Sequence, residues 1–337
     1  MVINVAINGF GRIGRMVYRA AYKNKKINIV AVNDLTDTKT LANLLKYDSV
    51  HGALSEDVGF TKDQLIIGRK KIKVFSEKDP SVLPWGKLKI DVVVESTGFF
   101  RDPKDAEAHL KAGAKKVIVS ATLKSKDDKK AKNAVTLIRG VNEKTCKKEH
   151  TIISNASCTT NNVTPILKVI HQKFGIKRCF FNTIHGYTSS QRIVDGPHKD
   201  LRRARAAAIN IVPTSTSADT AAVQAIPELK GRIRGFAFRV PVVNGSVTDF
   251  TIETIKPVDI KLVNKAMKKA ANGAMKGVIE YSERELVSTD IIGNPHSAIF
   301  DSKLTTVVDK KFLQIVAWYD NEWGYSNRLV EMIMEVG

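Results

Sequence analysis

Cys158 stands in the run Ser157-Cys158-Thr159-Thr160-Asn161, after a strand-like segment, Thr151-Ile152-Ile153-Ser154, and before an apolar helical stretch from Val163 to Lys173. A thiol at the start of a helix has its thiolate stabilised by the helix dipole and by N–H groups that have no partner within the helix. His185 follows a second strand-like run, Cys179 to Ile184, in the same half of the chain. With those two elements side by side, His185 reaches Cys158, and the pair works as thiolate and imidazolium or as nucleophile and general base. Taken singly, neither residue says much. An isolated cysteine is more often a small core hydrophobe, and Cys146 and Cys179 are read that way. Polar neighbours and the strand-to-helix junction set Cys158 apart.

A second constellation lies near the N-terminus. Gly9-Phe10-Gly11-Arg12-Ile13-Gly14 ends an apolar run, Val2 to Asn8, and opens a helix read from Arg15 to about Lys23, and a second strand runs from Ile27 to Asp34. Strand, glycine turn, helix and strand in this order make a βαβ unit. In that setting Gly9, Gly11 and Gly14 form a dinucleotide fingerprint. One glycine permits the tight turn, one lets the backbone approach a pyrophosphate, and one lets helix and strand pack closely; the helix N-terminus offers N–H groups to the phosphates. Asp34 lies 20 positions after Gly14 (34 − 14). An acid there accepts hydrogen bonds from the ribose hydroxyls and repels a 2′-phosphate, which favours NAD over NADP. The two constellations combine into one chemistry: a thiolate adds to an aldehyde, hydride leaves the thiohemiacetal for the nicotinamide, and a thioester remains for a second nucleophile. His185 takes the proton and later polarises the carbonyl, with the Cys158 N–H helping to hold the oxyanion.

The elements that must position these groups fall into two patterns. Up to about residue 157 the strands are short continuous Val/Ile runs, such as Ile90 to Glu95 and Lys116 to Ser120, separated by a helix from about Pro103 to Ala112. That pattern suits a parallel sheet covered on both faces, with a small hairpin or edge strands over 65–75. Beyond it, Val247 to Lys256, Thr305 to Val308 and Phe312 to Tyr319 alternate or are rich in β-branched residues, which suits a mixed, largely antiparallel sheet with helices on one side. The fold class is therefore α/β, a Rossmann dinucleotide-binding domain over 1–157 followed by an α+β catalytic domain over 158–323. A last helix, about Tyr325 to Glu335 within 324–337, returns to the first domain.

The chain has 337 residues, 43% hydrophobic and 26% charged, which is a globular composition. Lys+Arg number 54 against Asp+Glu 34, a formal charge of +20. The lysines are spread in runs such as Lys23 to Lys26 and Lys124 to Lys132. Such runs are usually solvated faces, and a positive field also suits phosphate-bearing substrates. Neither a basic, aromatic-interleaved motif for specific nucleic-acid binding nor a run of about 20 apolar residues for a membrane helix is present. Three cysteines without a Cys-x-x-Cys pair fit a reducing, cytoplasmic setting and no zinc site. The segment from Gly186 to Ala208, with Arg192, Lys199, Arg202, Arg203 and Arg205, is a long basic loop of the kind that serves sites or interfaces.

With these residues in view, the chain resembles the phosphorylating glyceraldehyde-3-phosphate dehydrogenase family over essentially its whole length. The segments that carry the likeness are Ala6 to Arg15, Lys46 to Gly52, Ser154 to Asn161, Asp200 to Arg205 and Trp318 to Ser326. The resemblance implies that Cys158 is the nucleophile and His185 the base. It implies that Ser157, Thr159, Arg203 and Thr216 line an inorganic-phosphate site, with Ser217 beside them, and that Thr188 and Arg239, with Thr216, hold the C3 phosphate of the substrate. Arg12, Ile13 and Asp34 would bind the pyrophosphate and adenosine of NAD. Ser96, Thr97 and Ser120 would line the nicotinamide side, and Asn321 would contact the nicotinamide carboxamide. The loop 186–208 would be the family's S-loop, which reaches a neighbouring subunit's cofactor in a homotetramer.

Several positions depart from the family's usual pattern. Ser190 stands where Asp is common, Ser217 where Gly commonly follows the phosphate-binding Thr, Asn162 where a second Cys is common, and Thr122 where Pro is common. None removes a reacting group; Ser190 and Ser217 bear on phosphate affinity. Arg202, Arg203 and Arg205 stand too close together for the sequence to choose the phosphate ligand. Two other readings compete: oxidation of erythrose 4-phosphate by the same residues, against which Pro213-Thr214-Ser215-Thr216 speaks, and a nucleic-acid-binding role on the same fold, motivated by charge alone.

Overall fold

The computed structural model describes residues 2–124 and 131–337. The middle of the basic run Lys124 to Lys132 lies outside the described residues. The chain divides into two compact units. One comprises 1–137, 144–156 and 326–337, and the other 138–143 and 157–325.

The first unit runs β1 (Ile3–Asn8), α1 (Arg12–Ala21), β2 (Ile27–Asn33), α2 (Thr38–Lys46), β3 (Val58–Phe60), β4 (Gln64–Ile67), β5 (Lys70–Phe75), β6 (Val92–Glu95), α3 (Pro103–Lys111), β7 (Lys116–Val119), β8 (Ala134–Thr136) and β9 (Ile152–Ser154). Among the described residues these strands form one sheet in the order β3-β4-β5-β2-β1-β6-β7-β9-β8. It is parallel except for the β3-β4-β5 edge, where Gln64 to Ile67 and Lys70 to Phe75 pair antiparallel as the hairpin expected over 65–75. Every residue of β6 is buried, as its unbroken Val93-Val94 pattern requires. Strands β2 and β6 flank β1 on opposite sides, so the order reverses at β1, the place where doubly wound sheets open a ligand crevice at the strand C-termini. Those C-termini are Asn8, Asn33 and Glu95.

The second unit runs α4 (Cys158–Phe174), β10 (Ile176–Gly186), β11 (Val212–Thr214), α5 (Ala218–Ala225), β12 (Ile233–Val240), β13 (Ser246–Thr254), α6 (Ile260–Asn272), β14 (Ile279–Ser282), β15 (Ala298–Val308) and β16 (Phe312–Tyr319), followed by α7 (Trp323–Val336), whose residues from Ser326 belong to the first unit. The sheet order is β11-β12-β10-β13-β16-β15-β14, antiparallel apart from β10-β12 and β14-β15. It is the mixed, largely antiparallel sheet that the alternation predicts. Burial alternates strictly along β13. One face packs Phe181, Phe250, Ile252 and Ile315 against Val163, Ile166 and Ile170 of α4 and Val263 and Met267 of α6.

Helix starts differ most from the sequence reading. Helix α1 begins at Arg12, not Arg15, so Gly14 lies within its first turn. Helix α4 begins at Cys158, five residues before Val163, because Ser157 Oγ caps it by accepting from Thr160 N–H at 3.1 Å. Helices α2 and α6, not anticipated, are capped in the same way by Asp37 and Asp259. Strand β15 begins at Ala298, earlier than Thr305, and breaks register between Asp301 and Thr306.

Candidate active site and nucleotide-binding loop

The three glycines of the first unit do different things. Gly9 has a left-handed backbone, φ 88°, and a Cβ there would lie 2.7 Å from Thr97 N. A Cβ on Gly14 would lie 2.2 Å from the Gly9 carbonyl oxygen, so the helix meets the strand with no room for a side chain. A Cβ on Gly11 would meet nothing within 4 Å. Glycine at 9 and 14 is therefore demanded by the fold, whereas at 11 it leaves open space at the N-terminus of α1. That opening, at the N-terminus of α1, fits a pyrophosphate. Asp34 accepts from Phe10 N–H at 2.7 Å and Thr36 N–H at 2.9 Å, bracing the glycine loop from the end of β2. Arg12 pairs with Asp48. Burial alone would raise the Asp48 carboxyl, but donors from His51 N–H, Val50 N–H and Arg12 hold it at about 2. Ile13 lies half-buried in the same helical turn.

Beneath this loop runs a buried polar chain. Trp85 Nε1–H donates to His109 Nδ1 at 3.1 Å. Indole can only donate, so the proton of neutral His109 sits on Nε2, which faces Glu95 Oε2 at 3.0 Å. Glu95 Oε2 also accepts from Asn8 Nδ2 at 2.5 Å, and Asn8 Oδ1 from Asn33 Nδ2 at 2.7 Å. Glu95 Oε1 takes Thr97 N–H at 2.8 Å. Asn8, Asn33 and Glu95 each directly precede a predicted cofactor residue: Gly9, Asp34 and Ser96. Ser96 Oγ donates to Gly9 O at 2.7 Å, and Ser120 N–H to Glu95 O at 2.9 Å.

In the second unit Cys158 is the first residue of α4, and its Sγ lies 3.4 Å from His185 Nε2 near the end of β10. Just before the helix, Ala156 is buried in a left-handed conformation, φ 51°. This conformation costs about 1 kcal/mol for a non-glycine residue. Strand β12 lies parallel to β10 with His185 opposite Arg239. Arg239 Nη1 is 2.6 Å from His185 Nδ1 and 2.9 Å from Gly186 O, and Nδ1 is itself 2.7 Å from Gly186 O. Arginine can only donate. Arg239 and a protonated Nδ1 therefore compete for one carbonyl.

Burial opposes charge on each member of the pair. It pushes the Cys158 thiol up, against the pull of Arg239 and the Thr159 and Cys158 N–H groups. Burial, then the Arg239 charge, lowers His185 to about 3. A thiolate and an imidazolium in contact stabilise each other, so the two groups titrate as a coupled pair. Tyr319 completes the wall. Its hydroxyl lies 3.0 Å from Thr159 Oγ1 and 2.7 Å from Thr183 Oγ1, and its ring stands edge-on to His185 with centroids 5.9 Å apart.

The other predicted residues of this unit have partners of their own. Arg203 Nε donates to Thr214 Oγ1 at 2.9 Å, and its charge reaches both His185 and Arg239. Arg205 pairs instead with exposed Asp195. Of the three clustered arginines, Arg203 is the one whose charge bears on His185 and Arg239. Thr216 Oγ1 accepts from Ala218 N–H at 3.2 Å, and Ser217 is the N-cap position of α5. Thr188 Oγ1 pairs with Ser190 Oγ at 2.9 Å in the exposed loop. Asn321 Oδ1 accepts from Ser246 Oγ at 2.7 Å and Gly245 N–H at 3.2 Å.

Residues 3–103 match the family model of the glyceraldehyde 3-phosphate dehydrogenase NAD binding domain, and residues 157–321 that of its C-terminal domain. The chain belongs to the glyceraldehyde 3-phosphate dehydrogenase family. It is 52% identical over 333 residues to glyceraldehyde-3-phosphate dehydrogenase of Geobacillus stearothermophilus, covering 98% of this chain and 97% of the relative. It is 54% identical over 331 residues to that of Thermotoga maritima, covering 98% and 97%, and 51% identical over 345 residues to that of Mycolicibacterium smegmatis, covering 100% and 99%. Among the described residues no helix is long and apolar enough to cross a membrane.

Residue-level reasoning missed Tyr319, Ser246, Asp48 and the Trp85–His109–Glu95 chain. Asp48 and Tyr319 do lie in segments that carry the family likeness, so that signal was present without a role attached. His109 looks like one residue of an amphipathic helix, and nothing in its spacing marks it.

Proposed function

We propose that the protein catalyses the phosphorylating oxidation of glyceraldehyde 3-phosphate with NAD and inorganic phosphate, giving 1,3-bisphosphoglycerate through a thioester on Cys158. The observation that carries this reading is the 3.4 Å approach of Cys158 Sγ to His185 Nε2, with Arg239 on the far side of the imidazole. An anionic substrate group drawn to Arg239 relieves its competition with Nδ1. The ring can then donate Nδ1–H to Gly186 O and present Nε2 as acceptor for the thiol proton. Sulfur adds to the aldehyde carbon as His185 takes the proton, forming a thiohemiacetal. The Cys158 N–H and His185 stabilise the oxyanion. NAD, when bound at the glycine loop, supplies the hydride acceptor. Phosphate then attacks the thioester carbonyl, and the acyl group leaves sulfur as the mixed anhydride.

Arg203, Ser157, Thr159 and Thr216, with Ser217, line the inorganic-phosphate site, and Arg239 with Thr188 holds the C3 phosphate. Arg12, Ile13 and Asp34 hold the NAD pyrophosphate and adenosine. Ser96, Thr97, Ser120 and Asn321 serve its nicotinamide end. The protein works in the cytoplasm, which its free cysteines suit. It works as a homotetramer. Ile193, Val194, Leu201, Ile209 and Ile211 are all exposed within residues 193–211, and apolar side chains left to solvent in such number support a partner surface there.

The test is NADH formation from glyceraldehyde 3-phosphate or erythrose 4-phosphate, with and without phosphate, on wild type and Cys158→Ser. Phosphate-dependent turnover, faster on the triose, and a loss of several orders of magnitude in the variant are expected. Near-native turnover by Cys158→Ser would end the thioester route.

A further inference from the structure

Ser246 opens β13 and is 1% exposed. Its hydroxyl lies between two parts of the active site. Gly186 N–H, directly after His185, donates to Ser246 Oγ at 3.2 Å, and Ser246 Oγ donates to Asn321 Oδ1 at 2.7 Å. Both directions are fixed by chemistry. A backbone N–H can only donate, so Oγ must accept from Gly186 and spend its own proton on Asn321. Gly245 N–H, at 3.2 Å from the same Oδ1, fixes the orientation of the Asn321 carboxamide in turn. Its oxygen faces two donors, and its Nδ2 faces away from both and donates to no described residue. Gly245 can offer this N–H because it has φ 93°, and a Cβ there would lie 2.4 Å from Ser288 O. Asp320, next to Asn321, is also clamped, by Asn244 Nδ2, Gly293 N–H and the N–H groups of Glu322 and Trp323.

We propose that Ser246 is a positioning residue that ties the backbone of the base to the nicotinamide anchor: one hydroxyl holds the His185–Gly186 peptide and sets the Asn321 amide so that its N–H is the group offered to the cofactor. The proposal rests on the reading that Asn321 contacts the nicotinamide carboxamide. An asparagine free to flip would present oxygen or nitrogen alternately, and an amide-directed choice of nicotinamide face would blur.

The experiment uses the full enzyme as wild type, Ser246→Ala and Asn321→Ala. Affinities for NAD and for ADP-ribose, which lacks the nicotinamide, are measured by calorimetry. Deuterium transfer from 1-deuterated aldehyde to NAD is followed by proton NMR of the NADH formed. Ser246→Ala leaves buried donor and acceptor groups unmatched, a loss worth about tenfold. NAD affinity should fall by about that factor while ADP-ribose affinity stays, and deuterium should appear on both faces of C4 instead of one. Wild-type NAD affinity and a single labelled face in Ser246→Ala, with Asn321→Ala impaired, would overturn the role of Ser246 and leave the Asn321 reading intact. An unimpaired Asn321→Ala would remove the reading beneath it. A parallel loss of NAD and ADP-ribose binding in Ser246→Ala would signal general structural damage and equally overturn the proposal.

Discussion

Alanine at each fingerprint glycine should give opposite phenotypes from the same chemical change. At Gly11 the new methyl meets no protein atom within 4 Å, and the backbone there, φ −71°, is open to any residue. The cost is that of an N-cap glycine becoming alanine, about 1 kcal/mol or less, so the melting temperature should drop by no more than about 2–4 °C. The methyl does occupy the opening where a pyrophosphate meets the helix N–H groups. Each charge-assisted hydrogen bond lost there is worth about 1.5–3 kcal/mol, so NAD affinity should fall about tenfold or more. At Gly14 the methyl would sit 2.2 Å from the Gly9 carbonyl, and at Gly9 it would sit 2.7 Å from Thr97 N on a φ of 88°. Backbone lies on both sides of these contacts and cannot swing aside. Overpacking of this kind costs about 1–3 kcal/mol, with about 1 kcal/mol more for a left-handed alanine at position 9. Melting temperatures should then fall by roughly 5–10 °C. Thermal unfolding without cofactor and NAD titration calorimetry on the three variants separate the cases. A Gly11→Ala protein that binds NAD like wild type would refute the assignment of that opening to the pyrophosphate, and a Gly14→Ala protein that melts like wild type would refute the packing argument.

Two further outcomes follow from buried carboxylates. Asp48, its side chain 1% exposed, is lowered from 3.8 to about 2, which corresponds to about 2 kcal/mol of stability. Its folded-state value lies below its unfolded one, so this contribution is complete above about pH 4 and is lost as pH falls from there towards 2. In urea unfolding, Asp48→Asn should be less stable than wild type near neutrality and converge with it in that acid window; a gap that persists undiminished to pH 2 would refute the linkage. Glu95→Gln must turn an NH2 group towards donors on one side or the other, and Trp85 N–H bars His109 from its second tautomer. The mismatch should cost about 3 kcal/mol, read as a melting temperature lower by about 6–10 °C; a change within 2 °C would show that the chain of donors has no fixed direction.

What the sequence made legible was whatever is encoded locally. The fingerprint, the strand-to-helix junction at Cys158 and the alternation along β13 each depend on residues a few positions apart, and each appears in the structure where the pattern put it. Apolar periodicity alone starts α1 and α4 several residues late, because the helices begin where a polar cap or a glycine permits it. The supporting polar contacts were not legible because their partners are distant in sequence: 87 residues separate Asn8 from Glu95, and 160 separate Thr159 from Tyr319. The desolvation of Cys158 was equally hidden. A helix N-terminus predicts an easily ionised thiol, but Cys158 is half-buried beside Thr159 and His185, and that desolvation pushes the thiol up. Helix dipole and desolvation act on the same atom with opposite sign, and the sequence reveals only the first. The ionisation of Cys158 therefore depends on the groups around it, with Arg239 foremost among the charges: its charge favours the thiolate and disfavours the imidazolium of His185.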